Sequence, residues 1–163
     1  HPANTKGAIV IAADTLVVDE GGLLGKPRDA GEATAILKRL RGREHRVITG
    51  VALVGPQGAR AAHVVSLVLM RPYSDEEIAA YIATGEPLDK AGAYGIQDAF
   101  RPAAACCGCY LNVVGLPLCA LVELLRPLGL PIPQGLVASD PALCPQCRPF
   151  RNAADAPSLG PEA

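Results

Sequence analysis

The sequence predicts one mixed α/β domain of about 125 residues followed by an irregular tail. Three observations carry that reading. Runs of apolar and β-branched residues alternate with segments of helical periodicity. The helical segments carry recognisable caps. At Arg126 the composition turns to Pro, Gly, Ala and Ser with no sustained period. Residues 1–126 are therefore read as the domain and residues 127–163 as the tail, and no internal repeat is found.

The elements follow in order. Gly7 to Val18 reads as a strand, and "DEGG" at Asp19 to Gly22 is turn chemistry leading to a short return over "LLG". A helix follows with Asp29 as its N-cap and Glu32 three residues on, a capping-box pattern. Ala33, Ile36, Leu37 and Leu40 form its apolar stripe; Lys38, Arg39 and Arg41 suit its negative end, and Gly42 closes it. His45 to Val54 and Ala61 to Met70 read as a hairpin around "GPQG". A second helix is capped by Ser74 with Glu77 at the third position; Ile78, Tyr81 and Ile82 face inward and Gly85 stops it. The glycine-rich loop "GEPLDKAGAYGIQ" then leads to a strand expected near Cys107 to Val114. A last helix opens at Pro117 and runs through Leu125.

Composition excludes several functions. Net charge is −1 and the pI is near 6.3, which gives no electrostatic case for polymeric nucleic acid. Four Tyr, two Phe and no Trp make a poor base-stacking platform. "HPANTKGAIV" lacks the basic and apolar regions of a secretory leader. The uncharged stretch Pro102 to Val122 is long enough to span a bilayer, but Gly108, Asn112, Gly115 and Pro117 interrupt it. It reads as strand, turn and helix, so a soluble, cytoplasmic protein is expected. The chain opens on His1-Pro2 and its only methionine is Met70, which leads us to expect a fragment, a processed product or a partial reading frame.

Polar residues that interrupt apolar or glycine-rich contexts mark the candidate chemistry. Asp14-Thr15 sits inside the most strand-like segment, where a buried carboxylate needs either a structural partner or a chemical task. Lys26 lies between Gly25 and Pro27, and Asp89-Lys90 opens the glycine-rich loop that Gln97 closes. A carboxylate, two ammonium groups, a hydroxyl and an amide suit a phosphate ester with a divalent cation, though each residue alone also fits a structural or solvated role. No Gly-x-x-x-x-Gly-Lys-Ser/Thr phosphate loop is present.

The order of the pieces is more specific. "ADTLV", "LGKP", "LRGREHRVITGVAL", "DEEIAAYIATGEPLDKAGAYGIQ" and "GCYLNVVGLPL" together resemble the Maf family of nucleoside triphosphate pyrophosphatases, also described as septum-formation inhibitor proteins. The resemblance runs collinearly from about Ile9 to Leu125. It implies an α/β fold with an elongated, twisted mixed sheet flanked by helices and a cleft between two lobes. It implies hydrolysis of dTTP or UTP, or of modified pyrimidine triphosphates, to the monophosphate and pyrophosphate with Mg²⁺ or Mn²⁺, and a homodimer. Asp14 matches the family's proton acceptor and metal-binding carboxylate. Lys26 and Lys90 match its phosphate lysines, and Thr15 and Gln97 match the positions tied to substrate choice. The "ADT" and "GIQ" pairing looks like the branch that prefers dTTP and UTP; an amide can meet both the imide N–H and a carbonyl of such a base.

Two departures accompany the resemblance. The family's first strand and its Ser-x-Ser-Pro-Arg-Arg motif, whose arginines hold the triphosphate, belong before Ala8 and are not among these residues. The chain is therefore read as an N-terminally truncated domain, and the competing reading is a catalytically incomplete nucleotide-binding or interaction module. Asp98 stands where the family usually has Gly, expected either to disfavour an anionic substrate or to point to solvent.

The six Cys are expected to be reduced, with Cys106, Cys107, Cys109 and Cys119 on a buried strand and helix. "CPQC" at Cys144 to Cys147 has half of a zinc-site spacing and "CCGC" would supply the rest, a weaker metal alternative. His1, His45 and His63 receive no role.

Overall fold

Along the chain's central strand, His45, Val47, Thr49, Val51 and Leu53 are buried while the residues between them are not. Such alternation marks a sheet covered on one face. A computed structural model describes residues 8–129. Its strands are β1 (Val10–Asp19), β2 (Gly22–Leu24), β3 (Glu44–Gly55), β4 (Gly58–Met70) and β5 (Ala103–Cys107), in the order β2-β1-β3-β4-β5. The helices are α1 (Ala30–Leu40), α2 (Asp75–Ala83), α3 (Tyr110–Val114) and α4 (Leu118–Leu125). This is an α/β fold, an open sheet flanked by helices.

Every ladder among the described residues is antiparallel, where the resemblance implies a mixed sheet. The connections explain it. Two residues join β1 to β2 and two join β3 to β4, a link that only antiparallel neighbours accept. Pairing of β1 with β2 covers only Val17 to Asp19, so Val10 to Leu16 have no strand on their outer side among the described residues.

The local signals in the sequence become the observed caps. Asp29 accepts the Glu32 N–H at 2.8 Å, a contact worth about 1 kcal/mol in typical helices. The reciprocal half of that box is not made: Glu32 instead accepts from the Arg28 main-chain N–H at 2.7 Å. At Ser74 and Glu77 both halves form. Between the sheet and helices α1 and α2 lies the main core, including Val17, Leu37, Leu40, Val47, Val68, Met70, Ile78 and Tyr94.

One element differs from expectation. Tyr110 to Val114 is a helix, and the strand lies earlier, at Ala103–Cys107. The run is apolar without a decisive period, so sequence alone cannot separate strand from buried helix. Gly108 settles it. Its φ of +109° breaks the strand, and a Cβ there would sit 3.0 Å from the Ser66 hydroxyl. Nor are the four cysteines uniformly buried, because β5 is an edge strand: Cys107 is exposed while Cys109 is fully covered. Of the proposed tail, residues 130–163, with Cys144 and Cys147, lie outside the described residues, while Arg126–Leu128 form a short 3₁₀ turn. Among the described residues no helix is long and apolar enough to cross a membrane, and no three His, Cys, Asp or Glu side chains cluster to hold a metal.

Candidate active site

The antiparallel pairing of β1 with β3 places Thr15 opposite Thr49 and Val17 opposite Val47. Both pairs lie on the face that the helices cover, as the burial of Val17, Val47 and Thr49 shows. Beyond β2 the chain passes through Gly25 and Lys26 and turns into α1. The loop after α2 folds back across this region as two short 3₁₀ turns, Glu86–Asp89 and Ala91–Ala93. It is tied down where the Gly92 N–H donates to the Gly25 carbonyl at 3.1 Å.

These segments enclose a cavity of about 300 Å³, within the range of small-ligand sites. Its lining includes Asp14, Thr15, Lys26, Lys90 and Gln97, all five residues singled out from the sequence. Asp89, Tyr94, Val113 and Val114 complete much of the wall.

Asp14 is exposed, which corrects the premise that a strand carboxylate here must be buried. Alternation turns Thr15 inward and Asp14 to the opposite face. Asp14 still borders the cavity because, among the described residues, β1 has no outer neighbour at this level. One of its carboxylate oxygens accepts the Thr15 N–H at 3.0 Å, which leaves the other free among the described residues.

The two lysines are held differently. Lys26 is exposed and makes no hydrogen bond or ion pair of its own among the described residues. Lys90 donates to the Glu86 carbonyl at 2.6 Å and to Asp89 at 3.0 Å, with Asp98 at 3.7 Å. Desolvation lowers its pKa, but Asp89, Asp98 and Glu86 more than offset this and hold it above the ordinary lysine value. The Lys90 ammonium therefore faces the cavity charged. Asp98 neither points to solvent nor lines the cavity. It accepts hydrogen bonds from the Tyr81 hydroxyl and the Gly95 N–H, and so shapes the turn that carries Gln97. Gln97 is exposed at the cavity wall.

Beneath the site lie groups that the sequence reading left without a role. The Tyr94 hydroxyl meets His45 Nε2 at 2.6 Å, with His45 fully buried and its Nδ1 without a partner among the described residues. Burial holds His45 neutral, its pKa lowered to about 4 although Asp19 pulls the other way. Asn112, also fully buried, binds Thr49 behind Thr15. A lone Asn inside an apolar run was the available signal for this residue.

Chemically, the cavity offers two carboxylates, two lysine side chains, a threonine hydroxyl and an amide around a volume suited to a small ligand. Asp14 and Asp89 both border it, and Mg²⁺ is commonly held by one or two carboxylates plus substrate phosphates. That donor set fits a divalent cation brought in with a polyphosphate.

Comparison with known proteins gives concordant matches. The model of the family described as Maf-like protein matches residues 2–128. A dTTP/UTP pyrophosphatase of Thermomicrobium roseum is 51% identical over 146 residues, covering 89% of this chain and 67% of the relative. One from Symbiobacterium thermophilum is 53% identical over 127 residues, 77% of this chain and 66% of the relative. One from Dehalococcoides mccartyi is 49% identical over 129 residues, 77% of this chain and 58% of the relative. The chain thus spans roughly three fifths to two thirds of the length of these curated relatives.

Proposed function

The chain belongs to the Maf-like protein family, and from that premise we propose that it is a nucleoside triphosphate pyrophosphatase that converts dTTP or UTP to the monophosphate and pyrophosphate. The observation that carries this reading is the convergence of Asp14, Thr15, Lys26, Lys90 and Gln97 on one cavity. Relatives at about half identity, named dTTP/UTP pyrophosphatase, support the substrate class.

In the proposed mechanism the free oxygen of Asp14 takes the proton of a water that attacks the α phosphorus in line with the leaving pyrophosphate. Lys26 and Lys90 neutralise charge that builds on the phosphate oxygens as the bond to the β phosphate breaks. Thr15 and Gln97 hold the base through its imide edge. Asp14 would hold Mg²⁺ or Mn²⁺, which would supply further charge neutralisation at the phosphates. The proposed setting is the cytoplasmic nucleotide pool, with a homodimer as the assembly.

Phosphorus NMR of the products tests the bond that breaks. Incubation with UTP is expected to give UMP and pyrophosphate in equal amounts. UDP and orthophosphate would place the cleavage elsewhere. No turnover by a folded chain that still binds UTP would favour the non-catalytic module.

A further inference from the structure

We propose that Thr49 and Asn112 are positioning residues that fix the Thr15 hydroxyl as a hydrogen-bond acceptor toward the cavity. The site thereby selects a base that presents a ring N–H over one that presents a bare ring nitrogen at the same place. Thymine and uracil present the N–H; cytosine presents the lone pair. The inference rests on the reading of the cavity as a pyrimidine triphosphate site.

Hydroxyl arithmetic carries the argument. A threonine hydroxyl has one proton to donate and two lone pairs to accept with. The Thr49 Oγ1 proton goes to the main-chain carbonyl of Asn112 at 2.7 Å, and a carbonyl can only accept. At the 2.9 Å contact between the two hydroxyls, Thr49 must therefore accept and Thr15 must donate. Thr15 then has no proton left for the cavity it lines, only lone pairs.

The rest of the network prevents a reversal. Asn112 Oδ1 accepts the Thr49 main-chain N–H at 3.0 Å, and Nδ2 donates to the Val47 carbonyl at 2.9 Å, so both ends of the amide are assigned by groups of fixed polarity. Nδ2 also donates to Ser66 Oγ at 2.9 Å, whose own proton goes to the Cys109 carbonyl at 2.9 Å. Thr49, Ser66 and Asn112 are all at most 1% exposed, so water cannot substitute for a missing partner. Every proton in the chain is committed to a backbone carbonyl or to the next member. A ligand nitrogen without a proton would meet the Thr15 oxygen lone pair to lone pair.

Calorimetric binding of UTP and CTP to the full chain, with Ca²⁺ replacing Mg²⁺ to slow turnover, tests this. Wild type is expected to prefer UTP by roughly 10- to 100-fold. Thr49→Val keeps the shape but removes the relay, so the Thr15 proton is released; the UTP/CTP ratio is expected to fall at least fivefold, and Thr49→Ser to restore it. Thr15→Val should erase the preference independently and decides the matter if Thr49→Val does not fold. A folded Thr49→Val or Thr15→Val with the wild-type ratio overturns the inference while leaving the site reading intact. Wild type that binds both equally overturns the inference and leaves the site reading intact; wild type that binds neither overturns both.

Discussion

The Gly92 N–H donates to the Gly25 carbonyl at 3.1 Å, and that one bond holds the loop carrying Lys90 against the segment carrying Lys26. The loop can come this close only because residue 92 lacks a side chain. Its φ is +73°, and a Cβ would lie 3.0 Å from Val17 Cγ1, inside the core beneath the cavity. Gly92→Ala should therefore cost about 1–3 kcal/mol, from the left-handed backbone and the clash together. Urea unfolding measures it. Because the two cations move apart, the same variant should also lose activity on UTP while it remains folded.

Lys26 and Lys90 should not contribute equally. Carboxylates and a carbonyl already surround Lys90, whereas Lys26 is exposed and unpaired among the described residues. Lys26→Met removes an ammonium that has no hydrogen bond or ion pair of its own among the described residues and should weaken UTP binding about tenfold or more, with a much smaller effect on UMP. Titration of both nucleotides checks this. Equal losses for the two would place Lys26 away from the terminal phosphates.

His45 makes stability depend on pH in a predictable direction. Its folded pKa is lowered to about 4 from 6.5, so the unfolded chain binds the extra proton first as pH falls. The contribution from the neutral, buried ring is complete above pH 6.5 and is lost progressively between 6.5 and about 4. At about 1.4 kcal/mol per pH unit the loss is on the order of 3 kcal/mol. Urea midpoints across this window should fall for wild type. In a His45→Phe, Tyr94→Phe double variant, which removes both polar partners, that slope should flatten.

What the sequence made legible was local or collinear. The caps at Asp29 and Ser74 are set by residues within one turn of each other, and both helices start there. The hairpin of β3 and β4 is likewise marked by its own turn. The five candidate residues came from the order of short motifs, and the topology gathers them at one cavity. Contacts over long separations were not legible. Asn112 meets Thr49 across 63 positions and His45 meets Tyr94 across 49, and neither residue announces its partner. The exposure of Asp14 depends on how far β2 extends along β1, which the alternating pattern does not specify. The short helix at Tyr110–Val114 follows from the close approach of Gly108 to Ser66, a tertiary event.

The central claim places Asp14 as the group that activates water in a triphosphate cavity. Pyrophosphate release from dTTP and UTP with Mg²⁺ or Mn²⁺, compared between wild type and Asp14→Asn, tests it most directly. The account predicts release by wild type and a fall of at least 100-fold in kcat for the variant, within the usual contribution of a positioned base. The amide keeps the shape and the bond to the Thr15 N–H, so the fold should be retained. Turnover by Asp14→Asn at the wild-type rate would contradict the account.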